Sequence, residues 1–151
     1  MMTTLRDIPF ETTLKVRDTC LCLHAQRAAR ALARRFDAAL APLDLTSGQF
    51  SLLMSLNRPA PPTLGSVAAL LAMDRTTLTA NLKPLVRRGL VEVAADPDDR
   101  RARLLRLTAA GRAILVKAVP IWQRTHADIE ARLGGSDPEQ VRADLKALSG
   151  V

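Results

Sequence analysis

Apolar residues recur at helical spacing along most of this chain, and one stretch departs from that period. Leu14, Leu21, Ala25, Ala28, Leu32, Phe36 and Ala39 form a stripe in a region rich in Ala, Leu and Arg, with no Pro or Gly before Pro42. The pattern predicts a helix from Leu14 to about Leu40. Leu23 and Leu40 lie well off the stripe, so this helix is apolar on more than one side. Two packing partners are needed, and in so short a chain the second is expected to be another subunit.

Thr46-Ser47-Gly48-Gln49 has the form of a capping box and opens a second helix, Thr46 to about Asn57. Arg58-Pro59-Ala60-Pro61-Pro62 ends it, because prolines remove donors and push the preceding residues to extended conformations. Thr63 then caps a short helix through Leu71, and Asp74 caps another that runs to about Arg88 before Gly89 stops it. Only Ala72-Met73 separates these two, which is the spacing of a helix-turn-helix. At Leu90 the period changes. Residues 90–95 and 103–108 read as strands, joined into a hairpin by the polar loop 96–102. Thr108 is placed to cap a long helix to Leu133, with core positions Leu115, Ala118, Trp122, Thr125, Ile129 and Leu133. Pro120 is expected to kink or split it. Gly134-Gly135 stops that helix, and Ser136-Asp137-Pro138-Glu139 reads as a second capping box, opening a last helix to about Leu148. The fold class is therefore mainly α (α+β), with a two-stranded hairpin after a helix-turn-helix.

The chain has 151 residues, the size of a single domain, and its 48% apolar and 25% charged residues suit a packed core with a hydrated surface. The longest apolar run, Val67 to Met73, is far short of a bilayer span. The opening Met1 to Asp7 lacks the features of a signal peptide, so a cytoplasmic location is expected. There, two cysteines are expected to be thiols. The larger signal is charge: 22 Lys plus Arg against 15 Asp plus Glu leave +7, which favours polyanions, nucleic acid before an anionic membrane. Aromatic residues are few, Phe10, Phe36, Phe50 and Trp122 with no Tyr, which argues against base stacking on single strands and toward duplex DNA.

The placement of charge narrows this further. With Leu82 at the centre of the buried side of the 74–88 helix, Leu78, Leu85 and Val86 lie beside it. Thr76, Thr77, Ala80, Asn81, Lys83, Pro84, Arg87 and Arg88 fall opposite, and no acid occurs from Arg75 to Leu90. Small hydroxyl residues allow close approach to a groove floor, Asn81 matches a base edge, and the cations match phosphates. Arg75 lies nearer the core side, but in the first turn, from which a long side chain still reaches a base. In the hairpin, Arg100, Arg101 and Arg103 suit a minor groove, where the potential is most negative. Asp96, Asp98 and Asp99 would repel phosphate, so Asp99 is expected to position Arg101 through a charge-assisted hydrogen bond. The plainer alternatives are a solvated helix face and a charged, solvated turn.

Asp74-Arg75-Thr76-Thr77-Leu78-Thr79-Ala80-Asn81-Leu82-Lys83-Pro84-Leu85, Arg88-Gly89-Leu90-Val91, Asp96-Pro97-Asp98-Asp99-Arg100-Arg101 and Leu107-Thr108, in this order and spacing, resemble the MarR family of bacterial winged-helix transcriptional regulators. The likeness runs from about Leu14 to Leu148. It implies a winged helix-turn-helix with a two-stranded β wing and interleaved N- and C-terminal dimerisation helices. One domain, 1–151, would divide into a DNA-binding lobe at about 44–108 and dimerisation helices at about 10–41 and 109–149. The resemblance further implies a homodimer reading a pseudo-palindromic operator in double-stranded DNA, with Arg101 in the minor groove. Many such regulators are repressors released by a small, often aromatic or anionic, effector. The expected DNA-binding residues are Arg75, Thr76, Thr77, Thr79, Asn81, Lys83, Arg87 and Arg88 on the helix, with Asp99, Arg100, Arg101 and Arg103 in the wing. No catalytic constellation, cofactor motif or membrane partner is expected.

Two alternatives stay open. Cys22 falls where the organic-hydroperoxide-sensing branch of the family carries its reactive thiol, which implies a redox-sensing regulator. That branch holds the thiolate with tyrosines, whereas the matching positions here are Gln26 and Phe36. On one continuous helix Cys20 and Cys22 point about 200° apart and do not pair. Cys20 and His24 share a face, but with His126 the only other histidine no metal site is expected; both histidines are expected at an interface or pocket. The second alternative is a non-specific architectural DNA-binding protein.

Overall fold

The computed structural model describes residues 7–150; Met1 to Arg6, part of the stretch read for a signal peptide, and Val151 lie outside the described residues. The elements are α1 (Phe10–Thr19), α2 (Leu21–Leu40), a 3-10 turn (Ala41–Leu43), α3 (Ser47–Ser55), α4 (Leu64–Leu70), α5 (Arg75–Arg87), β1 (Val91–Ala95), β2 (Arg103–Leu107), α6 (Ala109–Ala131) and α7 (Pro138–Ser149). Four helix starts are made by the residues expected. Thr46 and Gln49 exchange both bonds of a capping box, and Thr63, Asp74 and Thr108 each accept the backbone N–H three residues on.

The core lies under the helix-turn-helix. Leu53, Val67, Leu78, Leu85 and Leu105 are fully enclosed between α3, α4, α5 and the hairpin, with Leu40 from the end of α2 and Ala118 from the first half of α6. β1 and β2 pair antiparallel from Val91 opposite Leu107 to Ala95 opposite Arg103. On its other edge β2 meets a third extended segment, at the end of the proline run that stops α3. Pro62 has no N–H, but its carbonyl accepts from Leu105 N–H at 2.9 Å, and Thr63 bridges Leu104.

Several expectations need correction. Helix begins at Phe10, not Leu14, and the first long helix is two, broken at Cys20 (φ −69°, ψ 112°). No Pro or Gly marks this break. Thr19 Oγ1 turns back onto the Lys15 carbonyl at 2.6 Å, a contact that bends helices, while the apolar spacing continues across it undisturbed. Leu21, Ala25, Ala28 and Leu32 are exposed, and the residue that enters the core is the off-stripe Leu40. Pro120 does not split α6. The bond it removes belongs to the carbonyl of Val116, on an exposed side of the helix where water can serve it. Finally, α7 is capped by Asp137 and not by Ser136. Pro138 supplies no donor, so the first free N–H is that of Glu139, which reaches Asp137 Oδ1 at 3.1 Å. Ser136 is tied instead to the end of the preceding helix through Leu133.

Candidate nucleic-acid interface

Helix α5 buries Leu78, Leu82 and Leu85, and turns Thr76, Thr77, Thr79, Ala80, Asn81, Lys83, Arg87 and Arg88 to the surface. Val86, expected on the buried side, is 40% exposed, because the wing stands off from it and leaves an apolar cleft between Val86 and Val93. Asp74 starts the helix by accepting both the N–H and the hydroxyl of Thr77, at 2.7 and 2.9 Å, and these bonds hold its carboxyl below the ordinary 3.8. Thr79 donates its hydroxyl to the Arg75 carbonyl at 2.8 Å, so Thr77 and Thr79 present lone pairs outward as acceptors. Asn81 Nδ2 lies 3.5 Å from Met73 Sδ in the turn, which leaves its carbonyl oxygen toward solvent.

Ala72, in that turn, takes a left-handed conformation (φ 51°) that brings α4 and α5 together. Arg75 is neither buried nor simply extended. Its guanidinium lies across Gly65 of α4, so close that a Cβ there would stand 2.9 Å from Nη2. The cleft that holds it also contains Asp99, Arg101 and Arg103, so three arginines from α5 and the wing converge there.

The wing acids do have a role, though not the one expected. Asp99 Oδ1 accepts the backbone N–H of Arg101 at 3.0 Å, and Asp96 Oδ1 that of Asp98 at 2.9 Å. Both are turns in which a carboxylate bonds its own chain two residues on. Asp99 therefore positions Arg101 through the main chain, not the guanidinium. Among the described residues no ion pair occupies Arg100, Arg101 or Arg103, while one oxygen each of Asp96 and Asp99 is engaged by the loop backbone.

The far end of α5 is fastened to two other parts of the molecule, the start of α6 and the joint after α2. Gly89 (φ 69°) and Leu90 close the helix by donating to the Val86 and Leu85 carbonyls. Thr108, capping α6, donates its hydroxyl to the Gly89 carbonyl at 2.7 Å. Gly111, one turn into α6, sits against the Leu90 carbonyl, and a Cβ there would also stand 2.6 Å from Leu107 Cδ1. Arg88, expected near the DNA backbone, donates from Nη1 to the Asp44 carbonyl at 2.6 Å and from Nη2 to the Leu43 carbonyl at 3.3 Å. These long-range bonds, and the Gly65 shelf under Arg75, had no local sequence signal.

Elsewhere, Cys22 is exposed, and the Gln26 amide donates toward its sulfur at 3.5 Å. His24 bonds the Cys20 carbonyl, not its thiol, and His126 stacks on Trp122 with centroids 4.7 Å apart. Among the described residues no three His, Cys, Asp or Glu side chains gather around a point, and no helix is long and apolar enough to cross a membrane.

Comparison with known proteins agrees with this geometry. Residues 45–102 match the model of the MarR family. The multiple antibiotic resistance protein MarR of Escherichia coli K12 is 38% identical over 110 residues, covering 72% of this chain and 76% of that protein. The fold matches the M. tuberculosis transcriptional regulator MosR in complex with DNA (TM-score 0.78, 42% identity, 86% of this chain and 93% of that one). It also matches a MarR mutant from E. coli complexed with operator DNA (TM-score 0.79, 28% identity, 89% and 97%). A winged helix-turn-helix with an acid-free recognition helix and an arginine-tipped wing, together with this identity, makes the chain a member of the MarR family of DNA-binding transcriptional regulators, which are not enzymes.

Proposed function

We propose that the protein is a homodimeric, sequence-specific regulator that represses transcription from a pseudo-palindromic operator and is released by a small-molecule effector in the cytoplasm. The observation that carries the reading is the pairing of an exposed, acid-free α5 face with a wing in which Asp96 and Asp99 each bond the loop backbone and, among the described residues, no acid pairs with the arginines. Arg75, Thr76, Thr77, Thr79, Asn81 and Lys83 would meet the major groove, Arg87 a phosphate, and Arg100, Arg101 and Arg103 the minor groove, with Asp99 shaping the wing. The lobe at 44–108 would carry DNA recognition, and the segments 10–41 and 109–149 the dimer. Helices α1 and α7 support that division, since neither buries a single residue within the protomer. For the effector, the cleft along Val86 and Val93 has an apolar floor with Lys83, Arg87 and Arg103 at its rim, the chemistry of an aromatic acid.

Duplexes selected from a random pool, followed by titration, test this directly. A shared motif should emerge, with affinity falling steeply as salt rises. Arg101→Ala is expected to weaken specific binding by about 1–3 kcal/mol with the dimer intact. Equal affinity for random duplex would instead make the protein an architectural DNA binder.

The Gln26 amide beside Cys22 favours a second reading, a thiol switch. A hydroperoxide would oxidise the Cys22 thiolate to sulfenic acid, leaving as the alcohol, and a second thiol would then displace water to form a disulfide. Peroxide should then release wild-type protein from DNA and leave Cys22→Ser bound. Equal behaviour of the two proteins dismisses the switch.

A further inference from the structure

The joint between α2 and α3 is held by side chains from two directions. The chain leaves α2 through Ala41–Leu43, turns left-handed at Asp44 (φ 55°, ψ 43°), and buries Leu40 and Leu45 on either side of that turn. From α2, Asp37 Oδ1 accepts the N–H of Ser47, the first residue of α3, at 2.6 Å. From the end of α5, the two terminal nitrogens of Arg88 reach the carbonyls of Leu43 and Asp44. Arg88 is also the residue on which α5 terminates, immediately before the left-handed Gly89. One guanidinium therefore connects the base of the recognition helix to the root of the long helix that leads out of the lobe.

We propose that Arg88 is a positioning residue: it fixes the angle between α5 and α2, and through the dimer it sets the separation of half-sites that the protein accepts. The proposal rests on the dimeric reading given above. A planar fork suits the task, because its two nitrogens address two successive carbonyls in a fixed geometry, which a lysine ammonium on a flexible stem does not reproduce. The left-handed turn places both carbonyls on the side of the joint that faces α5. Arg88 thereby leaves the set of groups that neutralise phosphate, whereas Arg87, which makes no such bond among the described residues, remains in it.

The experiment is a spacing series. From the selected operator, duplexes are made with half-sites moved apart or together by one and two base pairs, and wild type, Arg88→Lys, Arg88→Gln and Asp37→Ala are titrated against each. Wild type is expected to lose roughly tenfold or more per displaced base pair. Both Arg88 variants should flatten that profile to about threefold or less, and Asp37→Ala, which loosens the same joint from the α2 side, should do likewise. Simple loss of stability lowers affinity at every spacing alike and leaves the shape unchanged. A phosphate contact predicts something different again: Arg88→Lys restores the wild-type profile, and Arg88→Gln reduces the slope of log affinity against log salt by about 2 per dimer. Either of those results, or a wild-type profile in any folded variant of the joint, overturns the proposal. Melting curves identify the folded variants; should neither Arg88 variant fold, Asp37→Ala decides it. Wild type that selects no duplex sinks the DNA reading and this proposal with it, whereas a selected operator with an unchanged spacing profile in the variants sinks this proposal alone.

Discussion

The lobe and the helical arms treat their apolar residues in opposite ways. In the lobe, Leu53, Leu78, Leu85 and Leu105 are completely enclosed, and the polar groups at the helix starts are answered by Thr46, Thr63, Asp74 and Thr108. In the arms, Phe10, Val16 and Leu21 on one side of the sequence and Leu145 and Leu148 on the other are all more than half exposed. Burial along α6 weakens in the same direction, from enclosed Leu115 and Ala118 to half-buried Trp122 and Ile129. The lobe is a finished core. The arms are half of one, and on the dimeric reading the other half comes from the partner.

That contrast can be broken from either side. Leu145→Asp with Leu148→Asp removes four leucines per dimer that the proposed interface would cover, at about 1.5 kcal/mol each, on the order of 6 kcal/mol or four powers of ten in the dissociation constant. Sedimentation should show a monomer with a folded lobe, and an undisturbed dimer would refute the assignment of α7. Leu53→Ala acts on the lobe instead. It should lower the stability of the whole protein by about 2–5 kcal/mol, read in a urea titration, with the oligomer keeping its form until it unfolds.

Smaller changes probe the seam between the two regions and the recognition helix itself. Thr108→Ala removes both a cap of α6 and a bond to the end of α5, and should cost about 1–2 kcal/mol in the same titration. Asp74 gives a pH signature. Because its folded carboxyl titrates below 3.8, its contribution to stability is fully present above that pH and disappears as pH falls through the lower folded value. Melting temperatures of wild type and Asp74→Asn should therefore differ above pH 4 and converge in stronger acid. A constant difference across that range would contradict the capping role.

The lobe was far more legible in the sequence than the arms, for a physical reason. A cap such as Thr46 with Gln49, or Asp74 with Thr77, acts within three residues, so composition reveals it. Gly89 likewise marks the end of α5, because its left-handed backbone suits glycine. The arms depend on a surface outside the protomer, and the apolar stripe of α2 looked like core only because it is periodic. The break at Cys20 escaped because Thr19 bends the chain without changing that period. On the candidate interface, the exposed face of α5 was legible from helical geometry, whereas the wing acids' conflict with phosphate signalled a role for Asp99 but not that it bonds the main chain of Arg101. Arg88 was not legible. Its partners lie 44 and 45 residues away, and nothing about an arginine before a glycine distinguishes a hand on a carbonyl from a hand toward DNA.

The fastening of α5 at one end makes it a lever. Thirteen residues at 1.5 Å each give an arm of about 20 Å from the Gly89 end to the tip at Arg75, which rests on Gly65 of α4. A tilt of about 10° about the fastened end moves that tip by about 3.5 Å, close to the rise of one base pair. On the proposed reading, a shift of that size, shared by the leucines enclosed beneath α5, is enough to set the threonines and Asn81 against the neighbouring base.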